Sequence, residues 1–238
     1  KNILIKNGYT PKFIATCYRG HAKEIISHLE KVDLVISMGG DGTFNEIVSG
    51  NLERKEPLII SHIPVGTTND IGVMFGYGKD IKNNLKLLLK GCVKEMDICL
   101  INNQPFVYVA GFGKFMQVPY LTPRKLKKKY GYIAYIIEGI KDYFSPTKLY
   151  KITYEVNGIT KTGYYSFVLI SNANRIAGIN NFYRDVKLDD DKFEVLLCNF
   201  NRRKDIIKTF SLLMTIDATK VSGVEFYKTN NMKIEFEE

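Results

Sequence analysis

Apolar and polar positions alternate along the first hundred residues in two rhythms, one with the period of a strand and one with that of a helix. Residues 3–8 (ILIKNG) read as a helix end stopped by Gly8, residues 12–17 (KFIATC) as a strand, residues 21–31 (HAKEIISHLEK) as a helix and residues 33–38 (DLVISM) as a strand. A glycine-rich loop follows, then a helix from Phe44, the strand PLIISHI, a second loop PVGTTND and the helical IKNNLKLLLKG. Strands alternating with helices predict a parallel sheet flanked by helices.

The rhythm changes near Cys92. EMDICLINNQPFVYVAGFG reads as two strands around Asn102 and Asn103, and KITYEVNGITKTGYYSFVLIS as a hairpin turning at Asn157-Gly158. Tyr132, Ile133, Ile136, Ile137, Ile140 and Phe144 recur at helical spacing, and RRKDIIKTFSLLMTI, residues 202–216, reads as a further helix. Two domains are expected: an α/β domain over residues 1–97 and a mainly antiparallel, β-rich domain over residues 98–238.

Composition narrows the class. With 45% hydrophobic and 25% charged residues in 238, the chain is ordinary globular material. No apolar run reaches the roughly 18 residues of a membrane span, and YIAYIIEGI carries Glu138. The opening KNILIKNGYT lacks a signal-peptide pattern. Cys17, Cys92, Cys99 and Cys198 have no C-x-x-C spacing, so a reduced, cytoplasmic setting is expected, with neither a zinc site nor a disulfide framework. The net charge of +9 favours an anionic partner: a nucleotide, a nucleic acid or an acidic membrane face.

Two loops carry the candidate chemistry. In VISMGGDGTFNEIVSG, Gly39, Gly40 and Gly42 let a ligand approach the backbone closely after a strand. Thr43 and Glu46 have the spacing of a capping box, which predicts a helix N-terminus just beyond. Backbone amides and a helix dipole converging there make an anion site. Asp41 in that loop suits a site where a divalent cation or a substrate hydroxyl stands beside a phosphate, and it reads equally as a turn residue. The second loop supplies Gly66, Thr67, Thr68, Asn69 and Asp70, again between strand and helix. Loops at the carboxyl ends of neighbouring parallel strands share one crevice, which suggests a nucleotide. Walker, Rossmann and protein-kinase signatures are absent.

G-G-D-G-T followed by P-x-G-T-x-N-D resembles the diacylglycerol kinase catalytic family, whose G-G-D-G fold is shared with sphingosine kinases and, more distantly, NAD kinases. SMGGDGTFNEIVSG, HIPVGTTNDIG and EMDICLINN match its first domain; VAGFG, KKYGYIAYIIEGIKD, SNANRIAGI and LDDDKFEVLLC match its second. The resemblance implies an α/β domain and a β-sandwich with a cleft between them, and transfer of the ATP γ-phosphoryl group to a lipid hydroxyl. It implies nucleotide contacts at Thr16, at Gly39, Gly40, Asp41, Gly42, Thr43, Phe44 and Asn45, and at Gly66, Thr67, Asn69 and Asp70. Asp41 is the expected catalytic carboxylate. Asp70 and Asp97 align with acidic residues of the same cleft.

Asp189, Asp190 and Asp191 read as a solvated turn before a strand, or, on the family's D-D-G-x-L-D pattern, as a structural Mg²⁺ site. On that match Asp190 is the ligand, with the carbonyls of Lys187 and Lys192. Asp191 stands where the family has Gly, and Glu194 where it has Asp. The basic run RKLKKKYGY is a solubilising face or a contact to an anionic membrane surface through Arg124, Lys125, Lys127, Lys128 and Lys129. The expected partners are therefore ATP, Mg²⁺, a lipid substrate and transiently the bilayer, with no nucleic acid. A small-molecule kinase resembling NAD kinase, or a non-enzymatic nucleotide or lipid sensor, are the rivals. The family's N-terminal N-P-x-x-G turn and its D-G-E motif, source of the proposed general base, are not found in the sequence. Glu237 and Glu238 lack the preceding Asp-Gly, and the residues are expected to be a piece of a longer kinase with negligible turnover alone.

Overall fold

The computed structural model describes residues 1–180, 182–183, 185–200 and 223–237. The chain divides into two compact units, one of Lys1–Glu95 with Leu100–Phe106 and one of Met96–Cys99 with Val107–Glu238.

The first unit contains α1 (Asn2–Lys6), α2 (His21–His28), β1 (Val35–Gly39), α3 (Asp41–Leu52), β2 (Ile60–Pro64), α4 (Asp70–Met74) and α5 (Ile81–Lys90). Strands β1 and β2 pair in parallel, from Val35 opposite Ile60 to Gly39 opposite Pro64. Because side chains alternate across a strand, Ile36 and Ile63 face one side and pack with Leu4 of α1 and Leu85 of α5. Val35 and Ile60 face the other and pack with Ala22, Ile26 and Ile47 of α2 and α3. The result is helix, sheet, helix, as the sequence rhythm predicts. β3 (Cys99–Ile101) and β4 (Gln104–Phe106) form a hairpin whose turn residues, Asn102 and Asn103, both have positive φ, 47° and 65°. Asparagine tolerates that left-handed geometry better than most residues.

Two local expectations are corrected. Residues 12–17 are not a strand: they pair with no neighbour among the described residues, and Phe13 and Ile14 are exposed. Apolar residues alone do not make a strand without a ladder to join. Thr43 and Glu46 do not form a capping box either. α3 begins three residues earlier, at Asp41, with Gly40 as N-cap and no side-chain cap. Glu46 instead accepts a hydrogen bond from the Gly20 N–H at 2.9 Å, tying the start of α2 to α3.

The second unit begins with β5 (Val109–Gly113) and three helices, α6 (Val118–Leu121), α7 (Arg124–Tyr130) and α8 (Tyr132–Phe144). Then come β6 (Tyr150–Val156), β7 (Ile159–Tyr165), β8 (Phe167–Ser171), β9 (Arg175–Ile176), β10 (Ile179–Asn180), β11 (Phe193–Cys198), β12 (Val224–Thr229) and β13 (Met232–Phe236). A four-stranded antiparallel sheet runs β12-β11-β8-β5, and a three-stranded one runs β13-β6-β7. Ile152, Tyr154, Val156 and Tyr165 from the second meet Val168, Val195 and Leu197 from the first in a buried core, which makes a β-sandwich. Each such fully buried aliphatic contributes about 1.5–3 kcal/mol. The β6–β7 turn is Asn157-Gly158, both with positive φ, as the sequence predicts. The helix expected over residues 202–216 lies outside the described residues.

Candidate functional site in the glycine loops

β1 and β2 end side by side, so the loops that follow them meet. The Val65 N–H donates to the Gly39 carbonyl at 2.8 Å, extending the ladder by one bond. A Cβ on Gly66 would stand 2.6 Å from the Gly40 Cα, so glycine at 66 is required for the two backbones to touch. Nothing lies within 4 Å of a Cβ built on Gly42, which leaves the first turn of α3 open on that side.

One carboxylate joins the loops. Asp41, the first residue of α3, accepts from the N–H of Asp70 at 3.2 Å and of Ile71 at 3.0 Å, and so caps α4 from a different loop. Burial pushes its carboxyl up, the two amide hydrogen bonds oppose that, and the neighbouring Asp70 adds to the rise. Asp70 is itself fully buried. Asn69 enters α4 with φ of 57°, its Nδ2 donating to the Gly66 carbonyl at 2.9 Å. Its Oδ1 is buried and makes no hydrogen bond. Thr67 is partly exposed. Phe44, by contrast, points into the core: 4% exposed, it lies 4.9 Å from the His62 ring and 6.0 Å from that of Phe75. Only its backbone can serve a ligand. His62 is fully buried beneath the loops, and burial lowers its pKa to about 4, so it stays neutral.

Asn45 lines a cavity of about 530 Å³ with Arg19, Gly20, Lys23, Glu46, Ser49, Gln104 and Pro105. That size suits a small molecule. Arg19, Lys23 and Gln104 were not singled out by the sequence, although the first two are cations at the mouth of α2, within a few residues of Thr16. Thr16 is exposed in the unpaired segment before α2.

The acidic turn lies in the second unit. Asp191 has φ of 55°, the left-handed geometry that aspartate takes up more readily than most residues. Asp97 supports this turn: its N–H donates to the Leu188 carbonyl at 2.7 Å, and its carboxylate accepts from the Asp191 N–H at 2.6 Å. Asp190 pairs with the Lys228 Nζ at 2.8 Å through Oδ2, while its Oδ1 is buried and makes no hydrogen bond. Glu194, 1% exposed, likewise has both carboxylate oxygens unsatisfied. Burial raises its pKa to about 7; Lys228 opposes the rise and Asp190 adds to it. Orphaned, hard carboxylate oxygens fit a Mg²⁺ or Ca²⁺ ion. Lys187 and Lys192, whose carbonyls would complete the set, are exposed residues of the same turn. Among the described residues no group of three or more His, Cys, Asp or Glu is arranged to hold a metal. Glu237 is engaged by Lys151 at 2.5 Å and Thr153 at 2.9 Å, and Glu238 lies outside the described residues.

The basic run forms α7, with Lys125 and Lys129 exposed and the side chains of Arg124, Lys127 and Lys128 outside the described ones. α8 beside it carries Ile133, Ile137, Ile140 and Phe144, all exposed, at a spacing that puts them along one helix face. Among the described residues no helix is long and apolar enough to cross a membrane.

A parallel α/β unit with paired glycine loops, followed by a β-sandwich unit, defines the class of G-G-D-G kinase folds. The profile of the diacylglycerol kinase catalytic domain matches residues 1–101. Over 234 residues the chain is 31% identical to the diacylglycerol kinase of Staphylococcus aureus, in strains JH9 and Newman alike, covering 97% of this chain and 74% of the relative. The crystal structure of a diacylglycerol kinase from Bacillus anthracis superposes with a TM-score of 0.72 at 24% identity, covering 94% of this chain and 73% of that one. A second crystal structure from the same organism gives 0.78 at 24% identity, with the same coverage. The chain belongs to the diacylglycerol kinase family of lipid kinases.

Proposed function

We propose that the protein transfers the γ-phosphoryl group of ATP to the hydroxyl of a lipid such as diacylglycerol, at the surface of an anionic bilayer. The observation that carries this reading is the meeting of the two glycine loops at Gly40 and Gly66, with Asp41 spanning them. The amides at the start of α3 and of the Gly66 to Asn69 loop hold the phosphates, and the cavity beside Asn45, Arg19 and Lys23 takes the remainder of the nucleotide. Asp41 and Asp70 place carboxylates beside those phosphates, where a nucleotide-bound Mg²⁺ would neutralise charge on the transferring group. The first unit is thus the nucleotide-binding domain and the second the lipid and metal domain. The exposed apolar face of α8 next to basic α7 supports contact with a lipid surface.

Radiolabelled ATP offered with a panel of lipids and with NAD, followed by product separation, tests the reading. Label in a lipid product, dependent on Mg²⁺, is expected. Label in NAD alone would place the protein with the small-molecule kinases, and nucleotide binding without any labelled product would make it a sensor.

A further inference from the structure

Glu194 and Lys228 face each other directly across the β11–β12 ladder. Alternation puts Glu194 on the side of β11 opposite the sandwich core, since Val195 and Leu197 point into that core. That outer side is also covered: Leu196 and Cys198 are buried there, and Tyr183 packs on Phe226 at 5.2 Å. Lys228, its side chain 29% exposed, carries its ammonium along this side toward the acidic turn. Its Nζ stands 2.8 Å from Asp190 Oδ2, 3.6 Å from Glu194 Oε1 and 3.3 Å from the Asp185 carbonyl. Three oxygens from three positions surround one cation, and the 3.6 Å separation is too long for a hydrogen bond. Asp190 Oδ1 and both oxygens of Glu194, one of them the oxygen 3.6 Å from Nζ, are buried without a hydrogen bond.

We propose that Lys228 is a tethered counter-cation of the Asp190 turn, which competes with a divalent ion for the same oxygens. The metal site at this turn is then weak in the native chain, and Glu194 is the second carboxylate that such an ion meets when the ammonium is removed. A buried carboxylate, Glu194, beside a partly covered one, Asp190, demands positive charge nearby. An ammonium fixed on a strand supplies one unit at any metal concentration, whereas a free ion supplies two only when it is abundant. Charge repulsion at this distance makes the two occupants antagonistic. This inference concerns the second unit alone and stands apart from the phosphoryl-transfer reading.

The test is direct Mn²⁺ binding, read by the loss of the free-ion paramagnetic resonance signal, together with thermal unfolding in Mg²⁺ and in chelator. Lys228→Met is expected to bind Mn²⁺ about tenfold or more tightly than the native chain, and to gain more melting temperature from Mg²⁺ than the native chain does. Adding Asp190→Asn to Lys228→Met should abolish the gain, which locates it at this turn. Should Lys228→Met not fold, Lys228→Met with Glu194→Gln restores the native charge of the cluster. It should still bind Mn²⁺ more tightly than the native chain, because Asp190 is released. Equal or weaker binding in the charge-removed variants, or a gain that survives Asp190→Asn, overturns the proposal.

Discussion

Asp41 performs two tasks with one carboxylate. It caps α4 across the loops and, on the proposed function, stands beside the transferring phosphoryl group. Replacement by Ala should therefore cost about 0.5–2 kcal/mol of stability, as for other helix caps, as well as activity. Asp41→Asn removes the charge and keeps one acceptor of the two, because the amides of Asp70 and Ile71 bond to different oxygens of the carboxylate. It should melt between the native chain and Asp41→Ala yet lose more than tenfold in phosphoryl transfer, about 1.4 kcal/mol. Unfolding curves and kinase rates on both variants separate the roles; activity above a tenth of native in both would remove Asp41 from the chemistry. Glu225, on β12, is a carboxylate whose role is in stability. Burial raises its carboxyl, but the hydroxyls of Tyr154 and Tyr165, the Lys161 ammonium and the Tyr227 hydroxyl outweigh it and hold it at about 2, against 4.5 unperturbed. These donor atoms lie 2.6, 2.5, 2.9 and 3.0 Å from its oxygens respectively. A folded-state value below the unfolded one stabilises the fold fully above about 4.5, and that contribution disappears as pH falls through about 2. Glu225→Gln should melt lower than native at neutral pH, by about 1–3 kcal/mol of stability, and the two curves should converge between pH 4.5 and 2. A gap that is constant over this window would show that the loss is packing and not charge.

Among the elements, the β6–β7 hairpin and α3 show opposite kinds of legibility. Asn157-Gly158 specifies its turn chemically, because both residues must adopt positive φ, 49° and 75°. Gly158→Ala should destabilise the protein by about 1 kcal/mol, measured by urea unfolding. A Cβ there would meet nothing within 4 Å, so the loss would be conformational alone. No loss would mean that the turn rearranges freely. The start of α3 is also local, yet Thr43 and Glu46 misdirect. Glu46 has a choice between its own helix and the Gly20 amide, and folding brings Gly20 within reach. A capping box competes with tertiary partners that no spacing rule contains. KFIATC fails for a related reason: strand formation needs a neighbour's backbone.

Across the whole molecule, the net charge of +9 gains direction from where some of it lies. Basic α7 adjoins an α8 face carrying Ile133, Ile137, Ile140 and Phe144 exposed, a pairing of cations with apolar surface that suits an anionic bilayer. Each Lys or Arg near such a surface is worth about 1 kcal/mol, screened beyond about 8 Å at physiological salt. Binding to anionic vesicles should weaken with salt and fall sharply when Arg124, Lys125, Lys127, Lys128 and Lys129 are neutralised. Ile137→Ser with Ile140→Ser should lower the salt-resistant part. Co-sedimentation unchanged in both sets would leave α7 and α8 as a solvated surface.

The sequence by itself determined what depends on neighbours along the chain: the strand and helix rhythm of the first unit, the two asparagine turns, the glycine loops and the family they resemble. Periodicity and turn chemistry are local, so they survive without coordinates. Tertiary structure alone decided which atoms meet. It sent Phe44 into the core, turned Asp41 toward the amides of Asp70 and Ile71, brought Arg19 and Lys23 beside Asn45, and set Lys228 among the oxygens of Asp190, Glu194 and Asp185. Those contacts join residues 18 to 43 positions apart. Their geometry follows from sheet register and burial, which no single segment encodes.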